Sequence, residues 1–221
     1  MLKSTLYALC IFFSGMIITG CSSSYIITVW KNQHAFPGKY NKILIAGIVN
    51  NTDTAFRAEL ENHFKESLEA MGYPAVSSLA EFGPAGLKGF GQEDTYITLC
   101  NKGIDAVMTI ALVDRSIESV SEPKSAYTDP VKYYYERMWH YKEQQDKKII
   151  IPYDSSMKYS WEMILFDLST LQPHYITQTR TAEGNVRQSM QREFWKSMIK
   201  RLRKDRFLKP RDPIINGPKA F

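Results

Sequence analysis

The stretch "KILIAGIVNNTDTAFRAELENHFKESLEAMGY", residues 42–73, decides the fold class. Residues 42–49 form a continuous apolar run of strand length, which is typical of a central strand covered on both faces. Thr52 or Asp53 is the expected N-cap of the helix that follows. Apolar residues then recur at near-helical spacing, namely Phe56, Leu60, Phe64, Leu68 and Met71. Gly72 is expected to end this helix at the C′ position.

The polar residues of this helix fall between its apolar positions, so they are expected to face solvent. They are Arg57, Glu59, Glu61, Lys65 and Glu66. The paired carboxylates Glu59 and Glu61 are therefore interpreted as part of a solvated helix face and not as a catalytic acid and base. Glu93 and Asp94 are interpreted as first-turn acids of a later helix.

A short pattern occurs twice after the first strand. "MGYPAVSS", residues 71–78, and "KGIDAVMTI", residues 102–110, share a glycine, an apolar residue, a spacer and then Ala-Val. Each copy predicts a helix end, a tight turn and entry into a strand. Their separation of about 30 residues is the size of a βαβ unit. Right-handed crossovers then predict a parallel sheet with helices on its faces.

The rest of the chain adds a hairpin and a helix to this unit. "KYSWEMILFDLST", residues 158–170, and "HYITQTRTAEG", residues 174–184, predict two paired strands. Residues 186–207 predict a basic amphipathic helix. The predicted fold class is α/β: a single three-layer-like domain, with a mixed sheet, a βαβαβ core, a C-terminal hairpin and a C-terminal amphipathic helix.

The N-terminus has the pattern of an export signal. Lys3 supplies a positive charge, and residues 6–18 form an apolar core. This core is too short for a membrane-spanning helix, which needs roughly 20 apolar residues. It matches the apolar region of a secretory signal peptide instead.

The end of this segment, Ile18-Thr19-Gly20-Cys21, resembles the lipobox of bacterial lipoproteins. The resemblance implies that the Cys21 thiol receives diacylglycerol, that residues 1–20 are removed, and that the new amino group is acylated with a fatty acid such as palmitate. Two or three acyl chains anchor a protein firmly, whereas one chain anchors it only marginally. An ordinary signal peptide with an incidental cysteine and an uncleaved amphipathic anchor are the alternatives.

Residues 22–24, three serines, are expected to form a flexible tether between the lipid and a periplasmic domain over residues 25–221. Ser22 directly after the cysteine resembles the sorting pattern for the outer membrane of a two-membrane bacterium. Cys100 is then the one cysteine of the mature chain, so no internal disulfide is expected. We favour a buried structural role for Cys100 over a reactive one.

Three segments carry a second resemblance, namely residues 42–73, residues 102–114 and residues 160–181. In pattern and element order they are similar to the N-terminal domain of TolB-type periplasmic proteins and to related small envelope lipoproteins. The resemblance implies an α/β fold and an envelope location. It brings no catalytic set to these residues.

No segment matches a catalytic, metal or cofactor motif. The glycine-rich "FGPAGLKGFGQED", residues 82–94, has the spacing of neither the dinucleotide-binding nor the P-loop motif, so a mobile surface loop is favoured. The four histidines are scattered without metal-ligand spacing. We therefore predict a protein that is not an enzyme and that has no metal or cofactor. A hydrolase whose catalytic residues are far apart in the sequence is the least favoured alternative.

One alternative function is the binding of a small anionic ligand. Its candidate residues are Asn50, Asn51 and Thr52, which follow the central strand, together with Lys88 in the glycine-rich loop. Ligands often bind at the carboxyl ends of parallel strands, and anions bind at helix N-termini. Turn and capping roles for these residues are the favoured interpretation.

Aromatic residues are concentrated in "YYYERMWHY", residues 133–141, within an insert near residues 122–157. The candidate interaction surface is Tyr133, Tyr134, Tyr135, Trp139 and Tyr141, because tyrosine and tryptophan are enriched at interfaces. Packing of these rings against the sheet is the favoured alternative.

The basic C-terminal helix is interpreted first as a solvated face and second as a contact for anionic lipids. The export signal argues against a nucleic-acid partner. The function predicted from the sequence is thus a lipid-anchored envelope module, held to the membrane through Cys21, that binds an envelope protein.

Replacing Cys21 with Ser is expected to stop lipid attachment, because the thiol is the proposed acceptor. Metabolic labelling with a radioactive fatty acid, followed by gel analysis, measures the attachment. Label that persists in the Cys21→Ser protein would contradict the lipobox interpretation.

Overall fold

A six-stranded mixed sheet organises the part of the chain that the computed structural model describes, which is residues 25–32, 40–49, 54–87, 89–114, 160–180 and 195–211. These residues form six strands and four helices, so the α/β fold class is confirmed. In chain order they are β1 (Tyr25–Lys31), β2 (Ile43–Ile48), α1 (Thr54–Glu69), β3 (Ala75–Ser77), α2 (Ser78–Phe82), α3 (Gln92–Asn101), β4 (Ala106–Asp114), β5 (Ser160–Asp167), β6 (Gln172–Arg180) and α4 (Trp195–Lys204).

The strand order in the sheet is β1-β6-β5-β4-β2-β3. β2 lies parallel to β3 on one side and to β4 on the other, as the repeated pattern predicts. Ile43 stands opposite both Ala75 and Ala106, so the two Ala-Val pairs enter the sheet at the same height on either side of β2. The strands β4, β5, β6 and β1 are joined by antiparallel pairing, and β5 with β6 forms the predicted hairpin.

All six residues of β2 are buried, which confirms the prediction of a central strand. Alternate residues of a strand point to opposite faces. Ile43 and Ile45 belong to a core cluster with residues of α1 and α4, and the side of the sheet that they occupy is called the first face. Leu44 and Ala46 belong to a second cluster with Leu99 of α3, on the second face. Helices therefore cover both faces of β2.

The apolar pattern that predicts α1 is also confirmed. Its five apolar positions are all buried, namely Phe56, Leu60, Phe64, Leu68 and Met71. Gly72 has a φ of +83°, and a Cβ atom there would lie 2.8 Å from the Cβ of Arg211. Glycine is thus needed after α1 both for the left-handed backbone and for space.

Two residues assigned to the solvent face of α1 are buried instead, which corrects the sequence prediction. Arg57 is 2% exposed and Glu61 is 0% exposed. They form an ion pair one helical turn apart, with 2.9 Å between Arg57 Nε and Glu61 Oε1. The carboxylate of Glu61 also accepts hydrogen bonds at the end of β2 and at the junction of β3 with α2, from the backbone N–H of Gly47 and Leu79 and from the hydroxyls of Ser77 and Ser78.

This burial has a physical reason in the backbone. The first N–H groups of a helix have no partner within the helix and must find an acceptor. Leu79 lies in the first turn of α2, and its N–H donates to Glu61 at 2.8 Å. The carboxylate therefore satisfies a buried backbone donor that the helical pattern of α1 alone does not reveal.

The prediction of a buried Cys100 is wrong, because Cys100 is exposed on α3. This helix buries only Thr95 and Leu99, so a narrow stripe of it contacts the sheet. On α4, the apolar residues Trp195, Met198, Ile199 and Leu202 are buried, as expected for an amphipathic helix. Among the described helices, none is long and apolar enough to cross a membrane.

Replacing Glu61 with Gln is expected to lower the free energy of unfolding by about 3–5 kcal/mol, since it removes one member of a buried ion pair. Urea denaturation followed by circular dichroism measures the change. The exposed Glu66 provides the matched control, because Glu66→Gln on the same helix should shift stability by no more than about 0.5 kcal/mol. Equal stabilities of the two variants would contradict the role assigned to Glu61.

Candidate functional site

A cavity of about 80 Å³ lies on the second face of the sheet. Its floor is formed by β2 and β4, with Leu44, Ala46, Ile48, Val107 and Thr109. Its walls come from α2, the glycine-rich loop, α3 and the β5–β6 turn, with Phe82, Gly86, Leu87, Thr95, Tyr96, Leu99, Leu168 and Leu171. Most of these side chains are apolar, so the cavity suits an apolar group.

The cavity exists because the second face is covered incompletely. β3 has three residues and α2 has five, and a loop with several glycines follows them. α3 then contacts the sheet mainly through Leu99. The strands β2 and β4 present apolar side chains along this face, and the short elements above them leave part of that surface unfilled.

Four polar residues also line the cavity, namely Arg57, Ser78, Thr95 and Thr109. Arg57 belongs to α1, on the first face, and nevertheless reaches the second-face cavity beside the short strand β3. Its Nη2 donates to Ser78 Oγ at 2.8 Å, and its Nη1 donates to the carbonyl of Pro84 at 3.4 Å. Because Glu61 is its ion-pair partner, the positive charge of Arg57 is already matched.

The other two polar residues, Thr95 and Thr109, differ in whether their hydroxyls form a hydrogen bond. The hydroxyl of Thr95 donates to the carbonyl of Gly91 at 2.7 Å. The hydroxyl of Thr109 is buried and has no hydrogen-bond partner among the described residues. Thr109 therefore brings an unused donor and acceptor to the floor of an apolar cavity.

Four large apolar side chains are exposed among the described residues, namely Phe90, Tyr96, Ile97 and Leu171, with exposed fractions between 37% and 46%. Of these four, Tyr96 and Leu171 line the cavity, and we call these two residues the apolar rim. Leu171 also has a φ of +54°, a backbone region that leucine rarely adopts.

A second cluster of chemically capable groups lies at the β5–β6 turn, around His174. Its Nδ1 is 2.8 Å from the hydroxyl of Tyr40 and 3.7 Å from Asp167 Oδ2, and its Nε2 is 3.3 Å from Thr170 Oγ1. A hydroxyl, an imidazole and a carboxylate in this order could suggest nucleophilic catalysis. Asp167, however, accepts hydrogen bonds from Ser169 and from Thr170, as a turn-capping residue does.

The geometry around His174 favours a structural role. The tyrosine hydroxyl lies closer to Nδ1 than the carboxylate does, and His174 is 6% exposed. Burial lowers the pKa of His174, and the negative charge of Asp167 offsets only part of that effect. Burial also raises the pKa of Asp167, but hydrogen bonds from Ser169 and Thr170 outweigh it and hold the pKa below its usual range.

The residues that the sequence singled out are not among the described residues that line this cavity. The ligand candidates Asn50, Asn51, Thr52 and Lys88 lie outside the described residues, as do Cys21 and the aromatic residues 133–141. Two described lining residues are near these candidates in the sequence: Ile48 is two residues before Asn50, and Leu87 directly precedes Lys88. In the described part of the chain, no group of His, Cys, Asp and Glu side chains could hold a metal ion.

Comparison with known proteins gives little further information. No protein-family model matches the sequence, and no curated protein sequence matches it. Two solved structures of the PelC dodecamer from Paraburkholderia phytofirmans, one of them a variant, are similar at 12% and 13% identity. Each alignment covers 83% of this chain and 99% of the other, with a TM-score of 0.38. A likeness at this level assigns no function.

The environment of His174 predicts a loss of stability in mild acid. Because its pKa in the folded protein is below the ordinary 6.5, the unfolded chain binds more protons as the pH falls through that value. The free energy of unfolding is therefore expected to decrease from about pH 7 to about pH 5, where histidine is the side chain that ordinarily titrates. Urea denaturation at several pH values measures this slope.

The variant His174→Gln is expected to flatten this slope, since the titrating imidazole is gone. His63→Gln, which changes a partly exposed histidine on α1, is the matched control. A slope in His174→Gln as steep as in the wild type would show that His174 is not its source.

Proposed function

We propose that this protein is a lipid-anchored, non-enzymatic binding module of the bacterial cell envelope, and that it holds the apolar end of a ligand in the second-face cavity. The observation that carries the proposal is the apolar cavity together with its rim. Two of the four large apolar side chains that are exposed among the described residues, Tyr96 and Leu171, line this cavity. Apolar surface in such a concave, rimmed arrangement is typical of a binding site.

The size of the cavity limits what enters it. Sites for whole drug-sized ligands are about 300–1,000 Å³, and an engineered apolar cavity of about 150 Å³ holds benzene. At about 80 Å³, this cavity has room for the end of an aliphatic chain. The apolar rim, Tyr96 and Leu171, would then contact the next part of the ligand outside the cavity.

The charges at the cavity favour a neutral ligand over the anionic one considered from the sequence. Arg57 is the one cation among the lining residues that the structure describes, and Glu61 already matches its charge. The described lining residues include no carboxylate, imidazole or thiol. Chemistry that needs a general base or a nucleophilic sulfur therefore has no support at this site.

The proposed lipid anchor agrees with the surface of α4. Four basic residues of this helix are exposed, namely Lys196, Lys200, Arg203 and Lys204. They lie opposite its buried face, at a spacing that makes one stripe. Each Lys or Arg near an anionic lipid surface contributes about 1 kcal/mol of attraction. A domain tethered by residues 22–24 would meet such a surface.

The test uses n-pentane as an apolar probe, titrated into the purified protein and followed by methyl NMR spectra. Binding is expected to shift the methyl signals of Leu44, Leu99 and Val107, which line the cavity. Ala46→Val is expected to weaken the binding about tenfold. The added side chain fills the floor and displaces one or two methylenes, each worth about 0.8 kcal/mol.

Ala70→Val is the matched control, because it makes the same change at an exposed site after α1. It should leave the affinity for n-pentane unchanged. No shift at the cavity methyl groups at saturating n-pentane would overturn the proposed binding function.

A further inference from the structure

We infer that the cavity selects an aliphatic ligand that carries a hydrogen-bonding oxygen, hydroxyl or carbonyl, and that Thr109 binds this oxygen. The inference rests on the proposed binding function and adds the chemical class of the ligand. Its basis is the position and the hydrogen-bonding state of one side chain on the cavity floor.

Thr109 lies in the middle of β4 and is 3% exposed. In the sheet it stands opposite Ala46 on β2 and opposite Ile164 on β5, and neither side chain can form a hydrogen bond. Its hydroxyl is buried without a partner among the described residues. Buried hydroxyl groups are normally hydrogen-bonded, because burying a hydroxyl without a hydrogen bond is unfavourable in free energy.

The other polar groups of the cavity are engaged. Ser78 Oγ donates to Glu61 and accepts from Arg57, at 2.8 Å in each case. Thr95 donates to the carbonyl of Gly91. Among the described serine and threonine residues that line the cavity, Thr109 is therefore the one whose hydroxyl remains available, both as donor and as acceptor.

A second buried hydroxyl in the same sheet shows why the position matters. Thr177 Oγ1 on β6 also has no partner among the described residues, but Thr177 does not line the cavity. A buried hydroxyl without a hydrogen-bond partner does not by itself indicate a ligand. At Thr109, however, such a hydroxyl lines a cavity that a ligand can occupy.

The surroundings of Thr109 define the ligand further. The floor on either side of it is aliphatic, with Ala46 and Val107. The charge that lines the cavity, on Arg57, is paired with Glu61, so a neutral oxygen is favoured over a carboxylate. Because Thr109 is on the floor, the oxygen belongs near the inserted end of the ligand.

The test compares 1-butanol with n-pentane, in which a methyl group replaces the hydroxyl, by the same NMR titration. Thr109→Val keeps the shape of the side chain and removes its hydroxyl. This variant is expected to bind 1-butanol about three- to tenfold more weakly, the usual effect of one hydrogen bond. Its affinity for n-pentane should not fall. Thr109→Ser retains the hydroxyl and should keep most of the affinity for 1-butanol.

Thr177→Val is the matched control, because it removes a buried unpaired hydroxyl away from the cavity. It should leave the binding of both probes unchanged. Both valine variants should also raise the midpoint of thermal unfolding of the free protein, which shows that they fold.

The outcomes separate the two proposals. If neither probe binds the wild type, the proposed function fails together with this inference. If both probes bind and Thr109→Val still binds 1-butanol as the wild type does, only the role of Thr109 is overturned.

Discussion

The buried carboxylate of Glu61 is the interaction on which the arrangement of the other elements depends. It accepts hydrogen bonds from the backbone at Gly47 on β2 and Leu79 on α2, and it pairs with Arg57 on its own helix. A carboxylate that is removed from water is tolerated only when such partners satisfy it. The end of β2, the short strand β3 and the start of α2 must therefore assemble around α1 together, and none of them can shift without leaving a buried charge unmet.

The same requirement fixes the wall of the cavity. α1 approaches β2 closely at Gly47, where a Cβ atom would lie 3.2 Å from Leu60 Cδ2 and 3.4 Å from Glu61 Cγ. This approach lets the N–H of Gly47 reach the carboxylate at 2.9 Å. Arg57, held by Glu61, then extends to Ser78 at the start of α2 and to Pro84 just after it. A helix on the first face thus contributes a side chain to a cavity on the second face.

Local patterns in the sequence predicted the elements but not their polar contacts. The apolar run of β2 and the periodicity of α1 each depend on residues that are close together in the sequence, so both could be predicted. The repeated Ala-Val pairs predict that β3 and β4 lie beside β2. Helical periodicity predicts an exposed side chain at Glu61, because it places every polar position on the solvent face. Its partners Gly47 and Leu79 lie 14 residues before it and 18 residues after it. The cavity was missed for a similar reason, since Leu171 meets the floor only through the order of strands in the sheet.

The two faces of the sheet explain why the cavity, and with it the proposed binding site, lies on the second face. A parallel central strand is apolar on both sides and needs cover on both. On the first face, α1 and α4 supply it with large side chains such as Phe64 and Trp195, whose rings pack edge to face at 6.5 Å. On the second face, the cover consists of short elements and a glycine-rich loop. The apolar floor that this leaves carries the hydroxyl of Thr109, which has no partner among the described residues. The proposed ligand would stabilise the folded protein by binding there, because a ligand that binds only the folded state raises its stability.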